Sequence, residues 1–140
     1  MPFEFQTTAR FYEVDRAGIL FFGRFFEYCH AAYEDLLSTA FGSWNSAFDD
    51  MRWGLPLVHT DADFRGPVRM GDEVRVAISI ERVGDKSITF AHDVTVGGKC
   101  VASVRMVHAS ISMGDFASQP IPQVYLDGLV KVGLELPDKS

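Results

Sequence analysis

An aspartate sits in a short polar loop, Glu13-Val14-Asp15-Arg16-Ala17-Gly18, directly ahead of a run whose apolar residues recur at helical spacing. The start of a helix presents backbone N–H groups without intrahelical acceptors, at the positive end of the helix dipole. A carboxylate beside such donors suits acyl chemistry. The donors hold a developing oxyanion, and the carboxylate attacks a carbonyl or activates a water. The same residues also fit a plainer role, since an aspartate before a helix is commonly a cap or simply solvated. Eleven of the eighteen aromatic residues lie from Phe11 to Phe48. They read either as a rigid core or as a flat pocket wall beside Asp15. Phe21 and Phe22 suit the core reading less well, because adjacent helix positions point about 100° apart and cannot both face one sheet.

Other chemistries find less support. The histidines, cysteines and acidic residues do not cluster at the spacing of a tight metal site, so no metal is expected. The glycines form no phosphate-binding loop, and no Gly-x-Ser-x-Gly elbow is present. Asp61 and Asp63 share one strand face and could form a carboxylate pair or a solvated edge. Of the four histidines, His30 falls mid-helix on or near the buried face, and His92 on an apolar strand face, where a hydrogen-bonded core role is the simpler reading. His59, at the start of a strand after an irregular loop, is a candidate pocket residue. His108 alternates with buried positions and takes no role. Thirteen basic and nineteen acidic residues give a net charge of −6 and a pI near 5.1, so a nucleic-acid surface is not expected. Cys29 and Cys100 lie far apart, as two reduced thiols of a cytoplasmic protein would.

Those candidates need a scaffold. The chain has 140 residues, 47% of them hydrophobic, enough for one domain with its own core. No apolar run reaches the ~18 residues that span a bilayer, and the first residues lack the pattern of a secretory signal. Neither a membrane association nor export is expected. Alternation predicts a strand from Phe3 to Tyr12. Apolar residues from Phe22 to Ala40 predict a helix buried along a broad face, stopped by Gly42. Residues 43–56 read as irregular, anchored by Trp44, Phe48, Met51 and Trp53. Strands then follow at Leu57–Arg65, around Val74–Ile80, around Ile88–Val96 and at Lys99–Met113. Gly97-Gly98 marks a two-residue hairpin, because both central residues of that turn favour positive φ. A short helical run, Val124 to Val132, closes the chain. One long helix lying on one face of an antiparallel sheet makes an α+β domain.

The stretch Phe11-Tyr12-Glu13-Val14-Asp15-Arg16-Ala17-Gly18-Ile19-Leu20-Phe21-Phe22 resembles the active-site signature of hotdog-fold acyl-CoA thioesterases of the 4-hydroxybenzoyl-CoA thioesterase family. Cys29-His30-Ala31-Ala32-Tyr33-Glu34 and Leu55-Pro56-Leu57-Val58-His59 are similar to the branch that acts on 1,4-dihydroxy-2-naphthoyl-CoA. The likeness runs over about residues 5–113. It implies a single hotdog domain over 1–140, with a core at about 3–113, a tail at 114–140, and a sheet wrapped around the long helix. It also implies a homodimer with active sites at the subunit interface, dimers pairing into a homotetramer, and hydrolysis of an aromatic acyl-CoA without a cofactor. By position, Asp15 would be the catalytic carboxylate, as nucleophile or general base. The backbone N–H of Phe22 would polarise the carbonyl, and Gly18 would permit the close turn. Phe25 and His30 would line the acyl pocket, and the Leu-Pro-Leu-Val-His likeness adds His59. Where His30 stands, the 4-hydroxybenzoyl branch carries an acid, and Arg16 is bulkier than that position usually holds. CoA phosphates would meet Lys86 and Ser87, with Arg65 and Arg69 as further candidates. Two other readings remain: a hotdog protein that binds acyl-CoA or carrier thioesters without cleaving them, and a hotdog dehydratase, which would need a histidine that the Asp15 loop lacks.

Overall fold

The computed structural model describes residues 2–42 and 52–137; Trp44, Phe48 and Met51 lie outside the described residues. The first strand, β1 (Phe3–Thr8), is shorter than its alternation predicts. Past Ala9 the chain tightens into a 3-10 turn, Phe11–Glu13. The Glu13 carboxylate causes the turn by accepting the Arg10 N–H at 2.8 Å. Ala9 is buried but Phe11 is 77% exposed, so the apparent alternation breaks between them.

Helix α1 (Gly23–Phe41) begins one residue later than predicted, with Phe22 as the flanking residue. It buries Phe25, Tyr28, Cys29, Ala32, Tyr33, Leu36 and Leu37, the three- and four-residue spacing of a helix pressed onto a sheet. Gly42 ends it as predicted, in the left-handed region at φ +90.

The remaining elements are β2 (Trp53–Gly54), β3 (Leu57–Phe64), β4 (Glu73–Val83), β5 (Ser87–Val96), β6 (Lys99–Ala109), β7 (Ile111–Ser112) and α2 (Gln123–Lys131). Five strands form one sheet in the order β1-β4-β5-β6-β3, with every neighbouring pair antiparallel. Gly97 and Gly98 adopt φ +58 and +79 and let Val96 pair directly with Lys99. The predicted Lys99–Met113 strand breaks at Ser110. That residue is fully buried; its N–H keeps the β5 register by donating to the Lys86 carbonyl, but its own carbonyl accepts from the Gln119 N–H outside the sheet. Beyond it, β7 pairs with β2.

The inner face of the sheet, with Val74, Val76, Ile78, Ile88, Phe90, Val94, Val104 and Met106 all buried, packs against α1. Residues from the expected tail join this core: Tyr125, Leu126, Leu129 and Leu134 are buried, and Tyr33 and Tyr125 share a hydroxyl–hydroxyl hydrogen bond of 2.6 Å. A long helix cradled by an antiparallel sheet is the α+β hotdog arrangement implied by the sequence.

Candidate active site

The Asp15 loop is a small closed structure. Val14 and Leu20 form an antiparallel bridge, and the Asp15 N–H donates to the Ile19 carbonyl at 2.8 Å. Gly18, at φ +80, makes the reversal, a backbone state that costs glycine little. The Ala17 N–H donates to Asp15 Oδ1 at 2.9 Å, which fixes the carboxylate to its own turn. Two outside anchors hold the loop: Leu20 N–H donates to the Val68 carbonyl, and Phe21 N–H to the Glu13 carbonyl. Asp15 itself is exposed.

The loop leads straight into α1. Among the described residues, no acceptor takes the Phe22 N–H, so the helix start keeps a free donor seven residues beyond a pinned carboxylate. Phe21 and Phe22 do not both face the sheet. Their rings lie 4.8 Å apart, and both are largely exposed. Phe64, at the end of β3, meets Phe22, Phe25 and Phe26 at ring separations of 5.0–6.4 Å. A partly exposed aromatic surface therefore runs from the loop onto the sheet edge.

Further along α1, two adjoining hollows of about 390 and 220 Å3 form a cleft between the helix and the Leu55–Leu57 segment. His30 and Glu34 stand on the rim of both, with His30 Nε2 3.3 Å from Glu34 Oε1. His30 is exposed rather than turned to the core, and lies about 10 Å along the helix from Gly23 at 1.5 Å per residue. Phe25 does not line the cleft. It is a core residue, 4% exposed, and Phe26, one helix position on, lines the outer hollow instead.

His59 is not brought to this cleft either. A register shift between Leu57 and His59 inserts an extra residue, and such a bulge turns the following side chains to the opposite face. Leu57 therefore faces the cleft, whereas His59 lies on the outer face, 3.1 Å from Asp61 Oδ2. Asp61 also accepts two hydrogen bonds of 3.1 Å from Arg105, which hold its carboxyl below the usual range. Asp61 is thereby engaged with Arg105 and His59.

The CoA candidates are dispersed within one chain. Arg65 donates to Ser103 Oγ at 2.7 Å and, through its backbone N–H, to the Val101 carbonyl. Ser87 pairs with Ala109, eight residues further along β6 and so about 25 Å away at ~3.3 Å per residue. Lys86, next to Ser87, is exposed. Arg69 lies beside the loop through an Ile19–Arg69 backbone bridge. The described residues contain no cluster that could hold a metal ion and no helix long and apolar enough to cross a membrane.

Besides Phe26, the cleft holds a histidine to which the sequence assigned no role. His108 is buried and lines the inner hollow, its ring stacked 4.7 Å from Tyr33. Parity along β6 places it on the same face as Met106 and Val104, but nothing local shows that Leu55 and Tyr33 meet it there.

The pattern of the thioesterase-like superfamily matches residues 9–129. The chain belongs to that family. Among its relatives, a 1,4-dihydroxy-2-naphthoyl-CoA hydrolase of Nostoc punctiforme is 28% identical over 87% of this chain and 82% of its own. One from Synechococcus sp. strain CC9605 is 32% identical over 77% and 76%. The crystal structure of a 1,4-dihydroxy-2-naphthoyl-CoA thioesterase from Synechocystis superposes with a TM-score of 0.85 at 22% identity, covering 96% of this chain and all of that one. The fold match is therefore end to end. In this thioesterase-family chain, the closed loop, the helix start and the aromatic cleft lie along one edge of the domain.

Proposed function

We propose that this thioester hydrolase cleaves an aromatic acyl-CoA, of the 1,4-dihydroxy-2-naphthoyl or 4-hydroxybenzoyl kind, to the free acid and CoA. The observation that carries this reading is the pinned, exposed Asp15 carboxylate on a loop that runs into the free Phe22 N–H at the start of α1. The Phe22 N–H holds the carbonyl oxygen as it gains charge. Asp15 either attacks the carbonyl carbon, forming an anhydride that water then hydrolyses to the free acid and the regenerated carboxylate, or takes a proton from a water that attacks directly. The C–S bond breaks, and CoA departs as a thiolate, a leaving group good enough that no cofactor is needed. Gly18 permits the loop, and the aromatic wall and the His30 cleft receive the ring. The hydrolases of Nostoc and Synechococcus support the naphthoyl form of this reading by their sequence similarity.

The active unit is a homodimer. β3 is an edge strand that exposes Leu57, Val58 and Phe64, and Phe22 continues the apolar strip. A long apolar edge left open invites pairing with another chain, and a second copy pairing there edge to edge covers it. Arg65 and Lys86–Ser87, too far apart in one chain to hold one nucleotide, can then serve one CoA from two chains. Pairs of dimers give the homotetramer. The two unpaired cysteines support a cytoplasmic location.

The test is thiol release over matched acyl-CoAs, aromatic and aliphatic, with purified protein. Hydrolysis of aromatic thioesters well above aliphatic ones is expected. Tight aryl-CoA binding with no thiol release would instead make the chain a non-catalytic binder.

A further inference from the structure

The inner wall of the cleft carries a hydrogen-bond acceptor with no partner among the described residues. His108 Nδ1 lies 2.9 Å from the Leu55 carbonyl. A carbonyl can only accept, so the Nδ1 position holds the proton and, in the neutral ring, Nε2 is a bare lone pair. Burial, with a smaller contribution from His30, keeps the ring neutral by holding its pKa below the usual value. The ring cannot turn easily, stacked on Tyr33 and edge-on to Phe90 at 5.8 Å. His92 has the same tautomer, with Nδ1 on the Val104 carbonyl, but its Nε2 is sealed in the core. His108 instead borders open space, the hollow of about 220 Å3.

The other groups around this hollow do not compete for the same ligand atom. The Tyr33 hydroxyl is bonded to that of Tyr125. Glu34, itself an acceptor, sits on the rim against His30. Leu37, Leu55 and Leu57 supply carbon. An apolar cavity of about 150 Å3 accommodates benzene, so this hollow has room for an aromatic ring and the adjoining one for a fused second ring.

We infer that His108 reads a ring hydroxyl: its Nε2 accepts a hydrogen bond from a phenol-type O–H on the acyl group, making it a specificity-determining residue. The inference rests on the aryl-CoA reading above. A ring without that hydroxyl would bury Nε2 with no donor, and sites built around a substrate hydroxyl reject the analogue that lacks it far more strongly than an apolar pocket rejects an added one.

The test compares hydroxylated and unsubstituted aryl-CoA pairs on benzene and naphthalene frames, in the wild type and in His108→Phe. The wild type is expected to favour the hydroxylated member in kcat/KM by about tenfold or more. In His108→Phe the preference falls towards parity. An unchanged preference in the folded variant overturns the inference. Because that variant also abandons the Leu55 carbonyl, imidazole 15N NMR of the wild type provides a second measurement, with matched non-hydrolysable CoA thioethers as probes. The unprotonated Nε2 signal is expected to move upfield with the hydroxylated thioether and to stay in place with the unsubstituted one. Equal response to both, no binding of either, or a protonated Nε2 in the free protein overturns it. If the protein hydrolyses no thioester at all, the proposed activity fails, while the NMR titration still decides the role of His108.

Discussion

Two carboxylates two residues apart in the chain end in opposite situations. Glu13, in the 3-10 turn, is buried and accepts the Tyr28 O–H and the Arg10 N–H, each at 2.8 Å. Asp15, in the loop that follows, is exposed, and among the described residues its carboxylate accepts one hydrogen bond, from the Ala17 N–H of its own turn. The first is closed and holds the structure together; the second is held in place with one oxygen left open. Residue type does not separate them. What differs is whether the surrounding donors are used up. The sheet repeats the lesson with histidine: His59 on the outer face pairs with Asp61, whereas His92 and His108 on the inner face are neutral and donate only to carbonyls.

A large effect should come from uncovering the open side. Val58 on the edge strand is 60% exposed in the single chain. Val58→Asp should yield monomers in sedimentation velocity and cost most of the turnover, with the helical circular dichroism retained. A dimeric, fully active variant would break the link between the open carboxylate and a partner subunit.

The closed side is tested by acid. Burial lowers the His92 pKa from its ordinary 6.5 to about 4. Between those values the unfolded chain binds a proton that the folded chain refuses. Stability contributed above pH 6.5 is therefore lost as pH falls towards 4, by about 3 kcal/mol in all. Urea melts across that range should show the slope, and His92→Leu should flatten it.

Glu13→Ala strands the Tyr28 hydroxyl and the Arg10 N–H, and should cost about 2 kcal/mol of stability while kcat of the folded fraction stays within a few-fold. That result would sharpen the contrast with Asp15. A drop in kcat at unchanged melting temperature would merge the two roles. The smallest effect belongs to the outer face. Arg105→Ala removes exposed ion pairs with Asp61 and Glu81, and such pairs contribute little in water. Its melting temperature should match the wild type in high salt.

Most of the fold was legible because its signals are local. Alternation gave β4 and β5, the glycine pair gave the β5–β6 hairpin, and the apolar stripe with Gly42 gave α1. The strand ends were not, since a buried carboxylate shortens β1 and a buried serine breaks the run after β6. At the site, the Asp15 loop was readable because its turn, glycine and helix start are contiguous. Phe25 and Phe26 differ by one helix position, and only the packing decides which of them faces the cleft. His59 was misplaced by a one-residue bulge, which no side-chain pattern reveals. His108 depended on contacts with Leu55 and Tyr33, both more than fifty residues away in sequence.

The chemistry of the loop is tested most directly by Asp15→Asn, which keeps the shape of the side chain and its bond from Ala17 while removing the charge. Thiol release from an aryl-CoA should fall about a thousandfold or more, with the melting temperature and the Kd for a non-hydrolysable aryl-CoA thioether close to the wild type. Near-normal hydrolysis by that variant would contradict the assignment of the chemistry to this loop.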